Sequence, residues 1–334
     1  MGKGNVYNNF FDKEKWKLVN TDNIELMEDF LLELKQKKKS QGTINQYRND
    51  LRISFLYIYD HLSNRSILDL NKKDFRNYSL YLSGDCGLSS ARHNRMLSSL
   101  RSLLTYAEDE DDYSYEVNVA KKVKGLEKDP VREIFFLTDE QILKLRDELI
   151  RKEEYQKAAL LMLAYDSAGR KAELSQVEKY SFLDSNRNNT NKVIGKRRKT
   201  FSLVYFSGTK KCVALWLKQR GEDDIDNLWV TGNGANKKPA DPENLYEWFM
   251  VMRSILSELE GKEIDFNVHS IRHSALQNMS DNSHYICREL GMTTGFPIEK
   301  LKILANHNDI STTSNYLKDN SLDQLSEMFG ITIV

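Results

Sequence analysis

The chain has 334 residues with 49 basic and 49 acidic side chains, a net charge of zero, and enough length for two domains with separate cores. No run of about 18 apolar residues exists to span a bilayer, and the polar stretch from Met1 to Asn20 lacks the apolar segment of a signal peptide, so a cytoplasmic protein is expected. Cys86, Cys212 and Cys287 are scattered and odd in number, which excludes a disulfide framework and fits no metal-pair spacing.

Four helices are predicted in the first half. Asn23 to Lys37 places Ile24, Met27, Phe30, Leu31 and Leu34 at helical spacing, and Thr43 to Tyr59 repeats the pattern with Ile44, Tyr47, Leu51, Phe55 and Ile58. Leu70 to Leu82 follows, and Ser89 to Ala107 aligns Met96, Leu97, Leu100, Leu103 and Leu104. These stripes read as core. The polar faces carry Asn45, Arg48 and Arg52 on the second helix, just after Lys37 to Lys39, and Arg92 and Arg95 on the fourth.

An acidic tract, Glu108 to Asp112, gives way to Lys121, Lys122, Lys124, Lys128 and Arg132 with Gly125 and Pro130. Low apolar content and turn formers mark a linker over 113–135. Thr138 and Gln141 form a capping-box pattern opening a helix with Ile142, Leu143 and Leu149 inward, so the second domain is placed at 136–320. Ala158 to Tyr165 is an apolar helix running into Gly169-Arg170. Lys192 to Tyr205 reads as a strand, a basic tip with Gly195, Lys196, Arg197, Arg198 and Lys199, and a second strand. From Pro242 to Phe329 the pattern is mostly helical, broken at Gly261 and over 291–297. Leu322, Leu325, Met328 and Phe329 give the tail, 321–334, an apolar face suited to docking on its own domain or on a neighbour.

Zero net charge argues against a uniformly basic nucleic-acid binder, yet ten basic residues and no acidic one lie between Ser185 and Arg220. Charge segregated in this way permits one face to meet phosphates. The chemically distinctive residues fall in three short stretches: Gly169-Arg170-Lys171-Ala172-Glu173, His269-Ser270-Ile271-Arg272-His273, and His307 nine residues before Tyr316. Guanidinium forks hold phosphate oxygens in two places, histidines move protons near neutral pH, and a tyrosine hydroxyl can attack phosphorus.

The order and spacing of these residues resemble the tyrosine recombinase, or phage integrase, family of site-specific DNA recombinases. The resemblance implies a mainly α fold with a small β-sheet: a four-helix, SAM-like core-binding domain, here 21–112 after an N-terminal extension 1–20, and a mixed α/β catalytic domain. It implies that Tyr316 is the nucleophile, that Arg170 and Arg272 clamp the scissile phosphate with Glu173 in support, that His269 and His307 serve proton transfer and phosphate contact, and that Lys196, or its neighbour Lys199, protonates the leaving 5′ oxygen. A transient 3′-phosphotyrosine conserves bond energy, so no cofactor, metal or ATP is implied.

The implied partners are double-stranded DNA bearing a recombination site, three further copies in a homotetramer, and accessory directionality or bending proteins. The DNA-contacting residues would be Lys39, Asn45, Arg48, Arg52, Arg92, Arg95, Lys121, Lys122, Arg197, Arg198 and Lys199. Ala305-Asn306-His307 departs from the family's Leu-Gly-His. The interval from Arg272 to His307 is about a dozen residues long in excess, an extra loop placed between Ser280 and Pro297. About 20 residues before the first helix are too few for an additional arm-binding domain.

Three other readings compete. His269 and His273 at i and i+4 with His307 could ligate a metal, although the Glu of His-Glu-x-x-His is missing. The basic surfaces alone could serve a non-catalytic DNA-binding module, and the same chemistry could relax supercoils as type IB topoisomerases do.

Overall fold

The computed structural model describes residues 9–127, 135–314 and 316–317, without the side chains of Arg197 and Ala235. Lys128, Pro130, Arg132, the tail 321–334 and the Arg197 side chain therefore lie outside the described residues. Two units divide between Val131 and Arg132.

The N-terminal unit is a helical bundle whose helices begin where side chains can cap them. Thr21–Gln36 starts after Asn20, which accepts from the Asp22 amide, and Gln41–His61 starts after Ser40, which accepts from Thr43. Lys72–Ser83 begins two residues later than the apolar pattern indicates, because Asn71 and Asp74 form a capping box. Ser90–Asp109 completes the set. Leu26, Met27, Phe30, Leu51, Phe55, Phe75, Leu100 and Leu103 fill the core.

Two expectations change in this unit. The described part of the 1–20 extension joins the domain placed at 21–112: the Lys13–Trp16 helix packs on the bundle, with Trp16 stacked on Phe55 at 6.5 Å and Lys15 bonded to Asp60 at 2.8 Å. Nor does the chain leave the domain at residue 113. Tyr115, Ala120 and Val123 are buried, Asn118 donates to the Arg101 carbonyl, and Arg101 donates to the Val123 carbonyl at 2.6 Å. Three apolar residues amid many charges suffice to dock the segment.

In the second unit the helix Tyr155–Ser167 is buried on every side from Ala158 onward, as expected of a helix apolar all round. Helices Asp139–Arg151, Ser207–Arg220 and Val268–Ser280 pack against it. The first of these opens with the Thr138–Gln141 capping box. The hairpin pairs Asn189–Ile194 with Thr200–Val204, and Ile194 opposite Thr200 closes the basic tip. A second ladder, Val230–Thr231 with Lys238–Pro239, and the Ser207–Arg220 helix were not anticipated. That helix sits inside the basic run, where charge obscures the buried Cys212, Val213 and Trp216.

Arg220 does not belong to the basic face. It is buried and donates to Asp223 and to the carbonyls of Ile225, Asn227 and Leu228, and this guanidinium with Lys237 and Lys179 holds the Asp223 carboxyl far below the usual range. The described residues are thus mainly helical with two small antiparallel ladders. Among the described residues no helix is long and apolar enough to cross a membrane.

Candidate active site

The Tyr155–Ser167 helix ends at Ala168, whose φ of 47° is left-handed. A residue with a Cβ resists that conformation by roughly 1 kcal/mol. It is held by the Arg272 guanidinium, whose Nη1 donates to the Ala168 carbonyl. Gly169 follows, where a Cβ would meet Leu174 Cδ2 and Ser167 Oγ at 3.0 Å. The turn delivers Arg170 to the start of the short helix Lys171–Leu174.

Glu173 then grips Arg170 twice. The Arg170 backbone N–H donates to Oε2 at 2.8 Å and its Nη1 to Oε1 at 2.9 Å. The carboxylate is buried at 2% exposure while Arg170 stays 28% exposed, so the guanidinium is oriented without being hidden. The basic hairpin passes over the same carboxylate: a Cβ at Gly195 would lie 3.0 Å from Glu173 Oε1 and 2.6 Å from the Phe201 ring. Glycine is therefore required for this approach. Lys196 and Lys199 border a cleft of about 160 Å³ shared with Arg170, Glu173, His307 and Thr312; Asp309 contributes a second carboxylate there.

Arg272 comes from the Val268–Ser280 helix, opened by Asn267 with Ser270 in a capping box. Only 1% of it is exposed. Its hydrogen-bond partners are neutral: the Ala168 carbonyl, the Ala305 carbonyl at 2.7 Å and His307 Nε2 at 2.6 Å. Nε is buried with no hydrogen-bond partner among the described residues. Burial and the nearby Arg170 charge pull the Arg272 pKa down to about 10, so it remains charged at neutral pH.

A guanidinium only donates, so His307 Nε2 must accept and its proton sits on Nδ1, facing Thr313 Oγ1 at 2.9 Å. Burial, then Arg272 and Arg170, depress the His307 pKa to about 3. Both ring nitrogens are thereby engaged, Nε2 with Arg272 and Nδ1 with Thr313. Asn306, which stands where the family pattern has glycine, has φ 54°. The left-handed turn suits glycine, and asparagine is among the few other residues that tolerate it.

Tyr316 is half-buried within this set. Its ring lies 5.1 Å from the Arg272 guanidinium, 5.0 Å from His307 and 5.3 Å from His269. The ring of His273 stacks on it at 4.2 Å, and His273 Nδ1 lies 3.2 Å from the Tyr316 carbonyl oxygen. His269 sits at the exposed rim, and partial desolvation together with His273, Arg272 and Arg170 lowers its pKa. It is thus neutral near pH 7 and able to accept a proton. His273 and Thr313 are the site residues that sequence reasoning missed as such. A histidine one turn after His269 was the available signal for the first. Among the described residues no three His, Cys, Asp or Glu side chains converge as metal ligands.

Other sequence-predicted contacts are scattered in their surroundings. Lys39, Asn45, Lys122, Arg198 and Lys199 are exposed. Arg48 pairs with Glu28 at 3.4 Å and Lys121 with Glu108. Arg52, expected to point outward, instead lies over the Phe11 and Trp16 rings at 5.6 and 5.2 Å. Arg92 and Arg95 both reach the same oxygen of the fully buried Asp50 at 2.9 Å.

Residues 135–322 match the family model described as phage integrase family, and residues 27–111 match phage integrase, N-terminal SAM-like domain. The SPbeta prophage-derived recombinase-like protein YomM of Bacillus subtilis (strain 168) is 26% identical over 318 residues, covering 89% of this chain and 87% of that one. Among solved structures, a lambda integrase dimer bound to a COC′ core site has a TM-score of 0.64 at 14% identity, covering 89% of this chain and 77% of that one. The Tn1549 transposon integrase in complex with a circular intermediate DNA has a TM-score of 0.65 at 15% identity, covering 92% and 99%. At such identities these likenesses speak to the fold.

Proposed function

Because this chain belongs to the phage integrase family, we propose that it is a tyrosine-type site-specific DNA recombinase acting through a transient 3′-phosphotyrosine. The observation that carries the reading is the placement of the Tyr316 ring 5.1 Å from the Arg272 guanidinium within a single chain. A phosphodiester is an unreactive anion, and its attack requires charge neutralisation and in-line delivery. Arg170 and Arg272 supply the forks, and the unpaired, buried Nε of Arg272 is a donor awaiting an oxygen.

The Tyr316 oxygen attacks phosphorus, and its proton passes to neutral His269 or to a phosphate oxygen. The bond to the 5′ oxygen breaks, and that oxygen takes a proton from Lys196, or from Lys199 in the same cleft. The product is a 3′-phosphotyrosine and a free 5′ hydroxyl. A 5′ hydroxyl from a partner duplex then reverses the step and frees Tyr316, so bond energy is conserved and ATP is unnecessary. His307 holds Arg272 in place, and contacts the phosphate itself only where Arg272 yields Nε2.

The lambda integrase tetramer bound to a Holliday junction supports an assembly of four copies on two DNA sites, and the prophage and transposon relatives support integration or excision. Nicked duplexes drawn from the protein's own genomic neighbourhood would trap the adduct. Wild type should become covalently attached at a 3′ phosphate, and Tyr316→Phe should not. An unchanged adduct in Tyr316→Phe, or binding with no adduct in wild type, would reject the reading and leave a DNA-binding module.

A further inference from the structure

The segment 281–297, expected as an extra loop, is built into the back of the site. It contains the helix Tyr285–Glu289, with Tyr285, Ile286 and Cys287 buried. The Tyr285 hydroxyl donates to Asp166 Oδ1 at 2.7 Å and accepts the Gly208 N–H at 3.1 Å. A Cβ at Gly208 would stand 2.8 Å from that hydroxyl and 2.5 Å from Met162 Cε, so the contact depends on glycine. One helical turn along, Ser207 Oγ donates to Glu289 at 2.8 Å.

Asp166 is fully buried. Besides Tyr285 it accepts the Phe206 N–H at 2.9 Å, the Thr209 N–H at 3.3 Å and the Thr209 hydroxyl at 2.6 Å. Residues 206–209 follow directly on the second hairpin strand, Thr200–Val204, and open the helix Ser207–Arg220. A carboxylate at this helix start meets unpaired backbone donors and the positive end of the dipole. On its own helix, Asp166 stands four residues before Arg170. One buried carboxylate therefore ties the root of the Lys196 hairpin to the turn that presents Arg170.

We propose that Asp166 and Tyr285 are positioning residues for the general acid: they fix the hairpin root against the Arg170 turn, so that segment 281–297 governs protonation of the leaving 5′ oxygen. This rests on the assignment of a hairpin lysine as that acid. The buried pair touches neither phosphate nor nucleophile. Its bonds to residues 206–209 act on the hairpin root and so on where the lysine sits, and small displacements of a catalytic group cost large factors in rate.

Cleavage of a nicked duplex with an ordinary 5′ oxygen, compared with one carrying a 5′-bridging sulfur, isolates that effect. A thiolate is a far weaker base than an alkoxide and leaves without a proton. Tyr285→Phe removes one hydroxyl and leaves Asp166 three donors, so the fold should persist, as checked by its melting curve. Its cleavage rate should fall on the order of ten-fold on the oxygen substrate and return to the wild-type value on sulfur, with DNA affinity unchanged. Asp166→Asn should follow the same pattern.

Equal loss on both substrates, or no loss on oxygen, would overturn the proposal. Lys196→Ala and Lys199→Ala test its premise separately. If sulfur rescues neither, the acid assignment fails; if it rescues one of them but not Tyr285→Phe, only the positioning role fails.

Discussion

Arginines that look equivalent in the sequence are held in opposite ways in the two units. In the N-terminal unit Arg92 and Arg95 converge on Asp50, a carboxylate with no exposed surface, and much of their charge is spent inside the domain. In the second unit Arg272 is buried more deeply than either but faces two carbonyls and a neutral histidine. Of Arg170 and Arg272, Arg170 has a carboxylate partner, and that one grips it from the side. A buried cation with neutral partners is electrostatically incomplete, and in the proposed reaction a phosphate oxyanion would complete it. On the proposed reading the counter-ion separates a structural arginine from a phosphate clamp, and spacing along the chain does not reveal it.

The largest effect that tests this contrast is at Arg272. Arg272→Lys keeps one charge but loses the fork and the donors to Ala168 and Ala305, and adduct formation should fall on the order of a thousand-fold. Stability to urea should change far less than cleavage. A loss of folding in proportion to activity would break the comparison, by making Arg272 a structural residue like Arg95.

At Asp50 the reverse is expected. Asp50→Asn leaves two half-buried arginines without their anion and should destabilise the N-terminal unit by roughly 2–3 kcal/mol, read as a shift in the urea midpoint. Once the unit is folded at low temperature, the released guanidiniums should raise DNA affinity at low salt. The salt dependence should also steepen by about one phosphate contact. Unchanged salt dependence would show that Arg92 and Arg95 stay away from DNA even when freed.

The histidines give the next effect. His307 and His273 are both held below the ordinary imidazole value, first by burial and then by the arginine charge. Above pH 6.5 they are neutral in the folded and unfolded chains alike and contribute nothing to pH dependence. As pH falls below 6.5 the unfolded chain binds protons that the folded one refuses, so stability should decline on acidification toward about pH 3. The melting temperature between pH 7 and 4.5 checks this, and His307→Asn should flatten part of the slope.

Legibility in the sequence followed the same divide. The helices of the first half were readable from Phe30, Leu51 and Leu103 at their spacing, with bounds off by one or two residues, as where the Asn71 cap sets the start, and with the Lys13–Trp16 helix missed. Arg170, Arg272, His307 and Tyr316 were readable as motifs, and the structure brings them together with His269. Three kinds of feature escaped. Partners distant in sequence, such as Asp50 with Arg95 or Asp166 with Tyr285, leave no local pattern. The Ser207–Arg220 helix hid behind its own charge. The 113–127 segment looked like a linker because its three docking residues are a minority of its composition.

Backbone geometry offers the smallest and sharpest comparison. Asn306 and Ala168 flank the Arg272 guanidinium in left-handed conformations, at φ 54° and 47°, but asparagine tolerates that region and alanine does not. Asn306→Gly should therefore be nearly neutral in stability, while Ala168→Gly should stabilise by about 0.5–1 kcal/mol, with relief of strain outweighing the added entropy of the unfolded chain. If Ala168 is held left-handed by Arg272, the gain from Ala168→Gly should shrink in an Arg272→Ala background, where the guanidinium no longer enforces the turn. A double-mutant cycle measures that difference. Strict additivity would mean that the turn is set by Gly169 and Leu174 alone, and that the clamp arginine is a guest in a loop already formed.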